Sequence, residues 1–234
     1  MAFDLKSKDN PVTEVDLAVD QAISDDLFRI GFLADEIVSE ERRQTSLNRS
    51  GRIWIIDPID GTKEFVRGIP EYAVSIAYRR QGAFDSAVVY NPMIGFCAIA
   101  DTKGFYLANE RGVPENLTFN KSAVLCSRSE WDRRLIKGSL CDEFEITPLG
   151  SIAYKLALVA AGHARATFSL QPKSSWDIAA GVALIEKSGG IATDLYGNKL
   201  NFDDPYSRFN QGVLAARDQA AHSALLARLK LSIS

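Results

Sequence analysis

Trp54-Ile55-Ile56-Asp57-Pro58-Ile59-Asp60-Gly61-Thr62 is the stretch on which the reading of this chain turns. Arg52 to Ile56 reads as a short buried strand ending at Asp57-Pro58, because proline restricts the residue before it and removes a ladder donor. Two carboxylates, three residues apart, are thereby delivered into a tight turn, where they repel each other unless a cation sits between them. A hard divalent ion such as Mg²⁺ takes oxygen ligands and keeps several waters, so a few carboxylates and one backbone carbonyl, here that of Ile59, suffice. Gly61 lets the backbone come close to a ligand, and a helix or turn opening at Thr62 would aim free N–H groups at an anion. The spacing describes a site for metal plus phosphate.

An isolated Asp-Pro or Asp-Gly is usually an ordinary turn, so the weight comes from other acidic segments. Ser39-Glu40-Glu41 lies upstream and Trp176-Asp177 opens a later helix; both can bring ligands from elsewhere in the fold. Taken singly, Glu40 and Glu41 read as solvated charge and Asp177 as a first-turn residue favoured by the helix dipole.

Working outward, Val15, Val19, Ala22, Ile23 and Leu27 recur at helical steps, a helix opened by Thr13 with Asp16 three residues on. Glu71 to Arg79, Ser86 to Tyr90 and Gly95 to Ala100, with turns at Gly82 and Asn91-Pro92, predict an antiparallel meander. Beyond Val113-Pro114 strands and helices alternate. Strands are predicted at 123–126, 143–147, 164–170, 191–193 and 212–216, with helices from Glu130, over 151–161, over 176–188 and over 219–229. Layered α and β structure follows. There is no repeat or linker, so one compact body over residues 1–234 is expected, its metal-binding half reaching to about residue 118 and its substrate-side half running from about 119.

Composition narrows the function. The 234 residues carry 27 basic and 30 acidic side chains, a formal charge of -3, too balanced for the basic surface that nucleic-acid binding requires. With 46% hydrophobic residues but no apolar run near the ~20 needed to cross a bilayer, and no signal-peptide core at the N-terminus, a cytoplasmic protein with no membrane partner is expected. Cys97, Cys126 and Cys141 are odd in number and lack CxxC spacing, which fits reduced, mostly buried thiols. Asn48-Arg49-Ser50 and Asn116-Leu117-Thr118 match the glycosylation pattern and read as solvated loops.

Asp57-Pro58-Ile59-Asp60-Gly61-Thr62 with Phe65, preceded by Glu40-Glu41 and followed by Trp176-Asp177-Ile178-Ala179-Ala180-Gly181, resembles the inositol monophosphatase family of Mg²⁺-dependent, lithium-sensitive phosphatases. The likeness runs from about Lys6 to Asn201 and includes Thr13-Glu14-Val15-Asp16. It implies an α/β fold, an α-β-α-β-α sandwich of the inositol monophosphatase and fructose-1,6-bisphosphatase type, commonly a homodimer. It implies two or three Mg²⁺ ions held by Glu40, Asp57, the Ile59 carbonyl, Asp60 and Asp177. Asp16 would support Thr62, which with Glu40 orients the attacking water; Asp16 reads equally well as a cap opposite Thr13. In the mechanism the resemblance implies, one ion would lower the pKa of that water and the other would stabilise the leaving oxygen, while the Gly61 and Thr62 amides would bind phosphate. No phosphoenzyme is needed: the only histidines are His163, which reads as a cap or core residue, and His222, and GxSxG and GxxxxGK[ST] are absent.

The substrate is read from departures. Inositol-type members follow the motif with Thr-Asn-Phe and place an acidic residue seven before the Trp-Asp aspartate; this chain has Lys63-Glu64-Phe65 and Leu170, with Gln171 and Lys173 beside it. Asp-Gly-Thr-Lys-Glu-Phe is similar to the 3′(2′),5′-bisphosphate nucleotidase branch, which converts 3′-phosphoadenosine 5′-phosphate to AMP and phosphate. Lys173, if it faces the cavity, could pair with a second phosphate, whereas Leu170 could not bind a polyol hydroxyl; Lys173 reads alternatively as a solvated loop residue and Lys63 as an exposed helix position. Gly150-Ser151-Ile152 resembles the family's substrate-binding Gly-Ser segment, giving a substrate set of Asp60, Gly61, Thr62, Gly150, Ser151, Lys173 and Asp177, although a plain helix cap at Ser151 explains the same residues. Inositol 1-phosphate is the second substrate, and a non-catalytic phosphatase-like regulator is the alternative of another class. Family members commonly begin with a helix before the Lys-rich segment, which the few residues ahead of Lys6 cannot form; either the start is trimmed or the edge of the sandwich is built differently, so the resemblance does not fix the dimer contacts or the lid near residues 6–10.

Overall fold

The computed structural model describes residues 3–7, 10–32, 35–42, 51–108, 120–136 and 138–233. It opens with a two-stranded antiparallel hairpin, β1 (Phe3–Ser7) and β2 (Asn10–Thr13), followed by helix α1 (Glu14–Arg29). A six-stranded sheet comes next, in sequential order: β3 (Glu36–Ser39), β4 (Arg52–Asp60), β5 (Ala73–Arg80), β6 (Ala83–Asn91), β7 (Phe96–Asp101) and β8 (Gly104–Leu107). Between β4 and β5 stands the five-residue helix α2 (Thr62–Val66). Only the β3–β4 pair is parallel; the meander from β4 to β8 is antiparallel throughout.

The second half builds a five-stranded sheet from β9 (Val124–Ser127), β10 (Ile146–Leu149), β11 (Ala166–Ser169), β13 (Ile191–Thr193) and β15 (Val213–Ala216), in the order β10-β9-β11-β15-β13. The short helices α3 (Arg128–Asp132) and α4 (Gly138–Cys141) follow β9, and helices α5 (Ile152–Ala160) and α6 (Ser175–Lys187) lie further on. A two-residue pair, β12 (Lys173–Ser174) with β14 (Arg208–Phe209), stands apart, and α7 (Gln219–Ile233) closes the chain.

Helices α5 and α6 pack on each other and touch both sheets, whereas α1 packs on the six-stranded sheet and the hairpin, and α7 on the five-stranded sheet. The layers therefore run α-β-α-β-α. Burial explains the central position: every residue from Ile152 to Val159 is buried, as is nearly all of α6 from Ile178 to Ile185, so neither helix has a polar face to offer water. Gly181 lets them meet, since a Cβ there would lie 2.5 Å from the Leu156 side chain. One apolar cluster fills the space between the sheets around α5 and α6, and a second lies under α7.

Three expectations need correction. The strand carrying the motif does not stop at Asp57; β4 runs on to Asp60 through a bulge, with Pro58 inside the irregular stretch where a missing N–H breaks no regular ladder bond. Helix α1 buries Asp16, Asp20, Ser24 and Leu27, while Ala22 is exposed and Val15, Val19 and Ile23 are half-buried. Its inner stripe is polar because it faces a charged corner rather than apolar core. The thiols are free, but only Cys126 is buried; Cys97 is half-buried and Cys141 exposed. Two edge strands, β3 and β8, and the β12–β14 pair escape sequence patterning because two to four residues carry no period. Both glycosylation-type triplets and the boundary near residue 118 lie outside the described residues.

Candidate active site

Side chains alternate along a strand, so residues three apart should face opposite ways. In β4 they do not. Asp57 pairs with Ser75 and Asp60 with Ala73, three steps on one strand against two on the other, and the extra residue brings both carboxylates to one side. The Asp57 carboxylate accepts the Ile59 N–H at 3.1 Å, which fixes the bend. Gly61 then adopts φ 95°, a left-handed conformation that costs glycine little, and α2 begins.

Asp177 arrives from the other half of the chain at the start of α6. Its carboxylate accepts the Ser174 N–H at 2.7 Å in a capping box, an arrangement that holds it at the cavity edge. Asp57, Asp60 and Asp177 each place one carboxylate oxygen within 4.8 Å of the others. Oxygens ~2.1 Å from a Mg²⁺ ion lie about 3–4 Å apart, so this donor set suits a hard divalent cation. Burial, and then the charges of Glu40, Asp60, Asp177 and Asp16, push Asp57 well above the usual carboxylate range. Burial, Asp60 and Glu40 raise Asp177 to about 7, against the opposing pull of Lys173. Without a cation the cluster holds protons to limit its own repulsion, and a divalent ion would replace them.

Glu40 follows β3, its N–H donating to the Ile56 carbonyl at 3.2 Å, and it lines the same cavity, of about 550 Å³. Asp20 of α1 organises that turn by accepting the Ser39 hydroxyl at 2.5 Å and the Arg42 guanidinium. Asp16, only 2% exposed, lies 3.4 Å from the Thr62 hydroxyl, which also lies 3.1 Å from the Ile59 carbonyl. Thr62 has one proton to give these two acceptors.

The Gly150–Ser151 turn closes the opposite side of Asp60. The Ser151 hydroxyl donates to Asp60 at 2.5 Å and accepts the Tyr154 N–H at 3.0 Å, while the Ala153 N–H reaches the same Asp60 oxygen at 2.6 Å. Ser151 therefore caps α5 and also ties down a carboxylate. Its φ of 47° and ψ of 117° are unusual for serine and cost on the order of 1–3 kcal/mol. The Gly150 N–H donates to Glu71 at 2.7 Å, and Glu71 is itself held by Arg128 through two nitrogens. That amide, expected to meet substrate, is thus already committed. A Cβ on Gly150 would lie 2.4 Å from Glu64 and 2.7 Å from the Glu71 carbonyl.

Lys173, on β12, and Arg208, on β14, line the cavity together with Lys63. Leu170 does not; it packs against the second apolar cluster, and its N–H donates to Glu130 at 3.0 Å. His163 lies against Phe96, away from the carboxylates, and burial lowers its pKa. Sequence reasoning missed Asp20, Glu71, Arg128 and Lys155. For Asp20 the signal was present, since Asp16, Asp20 and Ser24 recur every four residues on one helix face. The other three act through backbone carbonyls, amides and one ion pair, which leave no spacing to read.

The family model described as the inositol monophosphatase family matches residues 2–234. Among curated relatives, the fructose-1,6-bisphosphatase/inositol-1-monophosphatase of Thermotoga maritima is 32% identical over 212 residues, 87% of this chain and 78% of that protein. The Nus factor SuhB of Escherichia coli K12 is 30% identical over 98% of this chain and 86% of its own. Among solved structures, a Thermotoga maritima IMPase superposes with a TM-score of 0.80 at 27% identity, covering all of this chain and 89% of that one. The chain belongs to the inositol monophosphatase family, a family of Mg²⁺-dependent phosphatases.

Proposed function

We propose that the chain is a Mg²⁺-dependent phosphomonoesterase that hydrolyses a small phosphorylated metabolite, foremost 3′-phosphoadenosine 5′-phosphate, to AMP and phosphate. The observation that carries this is the convergence of Asp57, Asp60 and Asp177, from two distant segments, within 4.8 Å of one another. In this reading Glu40, Asp57, the Ile59 carbonyl, Asp60 and Asp177 hold two or three Mg²⁺ ions. Bound Mg²⁺ supplies the charge that makes water a nucleophile at neutral pH and offsets negative charge on the leaving oxygen.

The chain's own groups do the rest. Thr62, with Asp16 as acceptor, and Glu40 orient the attacking water for in-line displacement. The Gly61 and Thr62 amides at the start of α2 take the phosphate. Ser151 fixes Asp60, and Lys173 receives a second phosphate, with Arg208 beside it on the β12–β14 pair. Inositol 1-phosphate is the second substrate, supported by the family's name and by the relative from Thermotoga maritima. A non-catalytic regulator has one observation in its favour, the relative named as a Nus factor, and against it the filled set of carboxylates. One body over residues 1–234, a homodimer and a cytoplasmic location belong to the same proposal.

Phosphate release from 3′-phosphoadenosine 5′-phosphate, inositol 1-phosphate, fructose 1,6-bisphosphate and NADP, each with and without Mg²⁺, tests it. The expected result is Mg²⁺-dependent release, greatest with the nucleoside bisphosphate. A clear preference for inositol phosphate would overturn the substrate, and no release from any ester would overturn the activity.

A further inference from the structure

Lys155 is the fourth residue of α5, a helix buried on every side from Ile152 to Val159. It is 2% exposed, in the middle of α5, a helix otherwise made of apolar side chains. A buried ammonium is retained only when its donors are satisfied. Here all three are: Nζ lies 3.0 Å from the Leu149 carbonyl, 3.1 Å from that of Gly150 and 2.9 Å from that of Ser151. Burial lowers its pKa only to about 8, so it is still largely charged at neutral pH. With three donors and three acceptors, Lys155 has none left for a substrate, although its side chain borders the cavity.

The three carbonyls belong to consecutive residues, and the last is Ser151, whose φ of 47° needs an external hold. From that conformation the Ser151 hydroxyl and the Ala153 N–H converge on one oxygen of Asp60. We propose that Lys155 is a positioning residue for Asp60: by gathering the carbonyls of Leu149, Gly150 and Ser151 it holds the strained turn that fixes the Asp60 carboxylate for cation binding. The inference rests on the metal-site reading above. It assigns a polar task to a lysine for which burial alone gives no reason, and it explains why the turn keeps serine rather than glycine: the hydroxyl is the link.

The test is calorimetric titration of the metal-free protein with Mg²⁺ alone, with phosphate release measured in parallel. The proteins are wild type, Lys155→Met, Lys155→Gln and, as a destabilised core variant remote from the cavity, Leu225→Ala. Methionine keeps the volume and removes charge and donors; glutamine keeps two donors. Lys155→Met is expected to weaken Mg²⁺ binding about 10- to 100-fold and to lower kcat, with KM for the ester little changed. Lys155→Gln should fall between it and wild type, and Leu225→Ala should lose stability without loss of Mg²⁺ affinity. A folded Lys155→Met that binds Mg²⁺ as wild type does overturns the proposal. If that variant does not fold, Lys155→Gln decides by the same titration, and unchanged affinity overturns it. Wild-type protein that binds Mg²⁺ but releases no phosphate would sink the phosphatase reading while the titration still decides the role of Lys155.

Discussion

Two sides of one cavity differ in how tightly their charged groups are held. On the β4 side, Asp57 accepts the Ile59 N–H, and Asp60 accepts the Ser151 hydroxyl and the Ala153 N–H. On the β12–β14 side, the side chains of Lys173 and Arg208 make no hydrogen bond or ion pair among the described residues, although the Asp177 carboxylate, at the base of that side, accepts the Ser174 N–H. An acidic cluster must be built rigid because its members repel one another and only fixed geometry favours a cation over protonation. The basic side has no such constraint. In the proposed function chemistry is then set on one side and substrate choice on the other, and changes on the two sides should differ in kind.

The sharpest break is Asp57→Asn. It removes a negative oxygen at the centre of the cluster while leaving shape and volume, so Mg²⁺-dependent phosphate release should fall roughly a thousandfold or more. Circular dichroism should be unchanged. Because Asp57 is repelled by Glu40, Asp60, Asp177 and Asp16, the metal-free variant should also be no less stable than the metal-free parent. Turnover at the parental rate would remove the proposed metal mechanism.

Gly150→Ala tests the rigidity directly. The new Cβ meets not only the movable Glu64 side chain but also the Glu71 carbonyl at 2.7 Å, which is backbone. The turn must shift and carry Ser151 off Asp60. A cost of about 1–3 kcal/mol in urea unfolding is expected, with a drop in kcat exceeding any change in KM.

The acidic side should also show its repulsion as a pH dependence. Asp177 has an ordinary value of 3.8 and stands at about 7 in the fold, so between these values the folded protein binds more protons than the unfolded chain. Stability of the metal-free protein therefore falls as pH rises from about 4 to about 7 and levels off above. Saturating Mg²⁺ should flatten the slope. Denaturant midpoints measured at pH 5 and pH 8, with EDTA and with Mg²⁺, check this; a metal-free protein more stable at pH 8 would contradict it.

The difference between the two sides also decides what the sequence made legible. Asp57, Asp60, Gly61 and Thr62 stand within six residues, and their types alone imply cation and phosphate chemistry. The order of strands and helices was readable because the meander alternates and α5 and α6 are long apolar runs. What escaped had physical reasons. The bulge that turns Asp57 and Asp60 to one side is a matter of register with β5, which no local pattern encodes. The polar inner face of α1 hid behind an apolar stripe of similar period. Lys155 sits in a run that reads as plain core, and β12 and β14 have two residues each, so the side that carries Lys173 and Arg208 was invisible as structure.

The smallest expected effect belongs to that less constrained side. Lys173 holds no partner whose loss would disturb the fold, so Lys173→Ala should leave stability within about 0.5 kcal/mol. It also opposes the upward shift of Asp177, and its removal should slightly strengthen the cluster's appetite for Mg²⁺ rather than weaken it. For a substrate with one phosphate, kcat/KM should change less than about twofold. For a nucleoside bisphosphate, loss of one partly exposed charge contact should cost about tenfold, equivalent to ~1.4 kcal/mol. Measuring both substrates on the same variant separates the two sides of the cavity. Equal losses would mean that Lys173 acts on the metal cluster and not on a second phosphate, and the preference for a bisphosphate would then have no residue behind it.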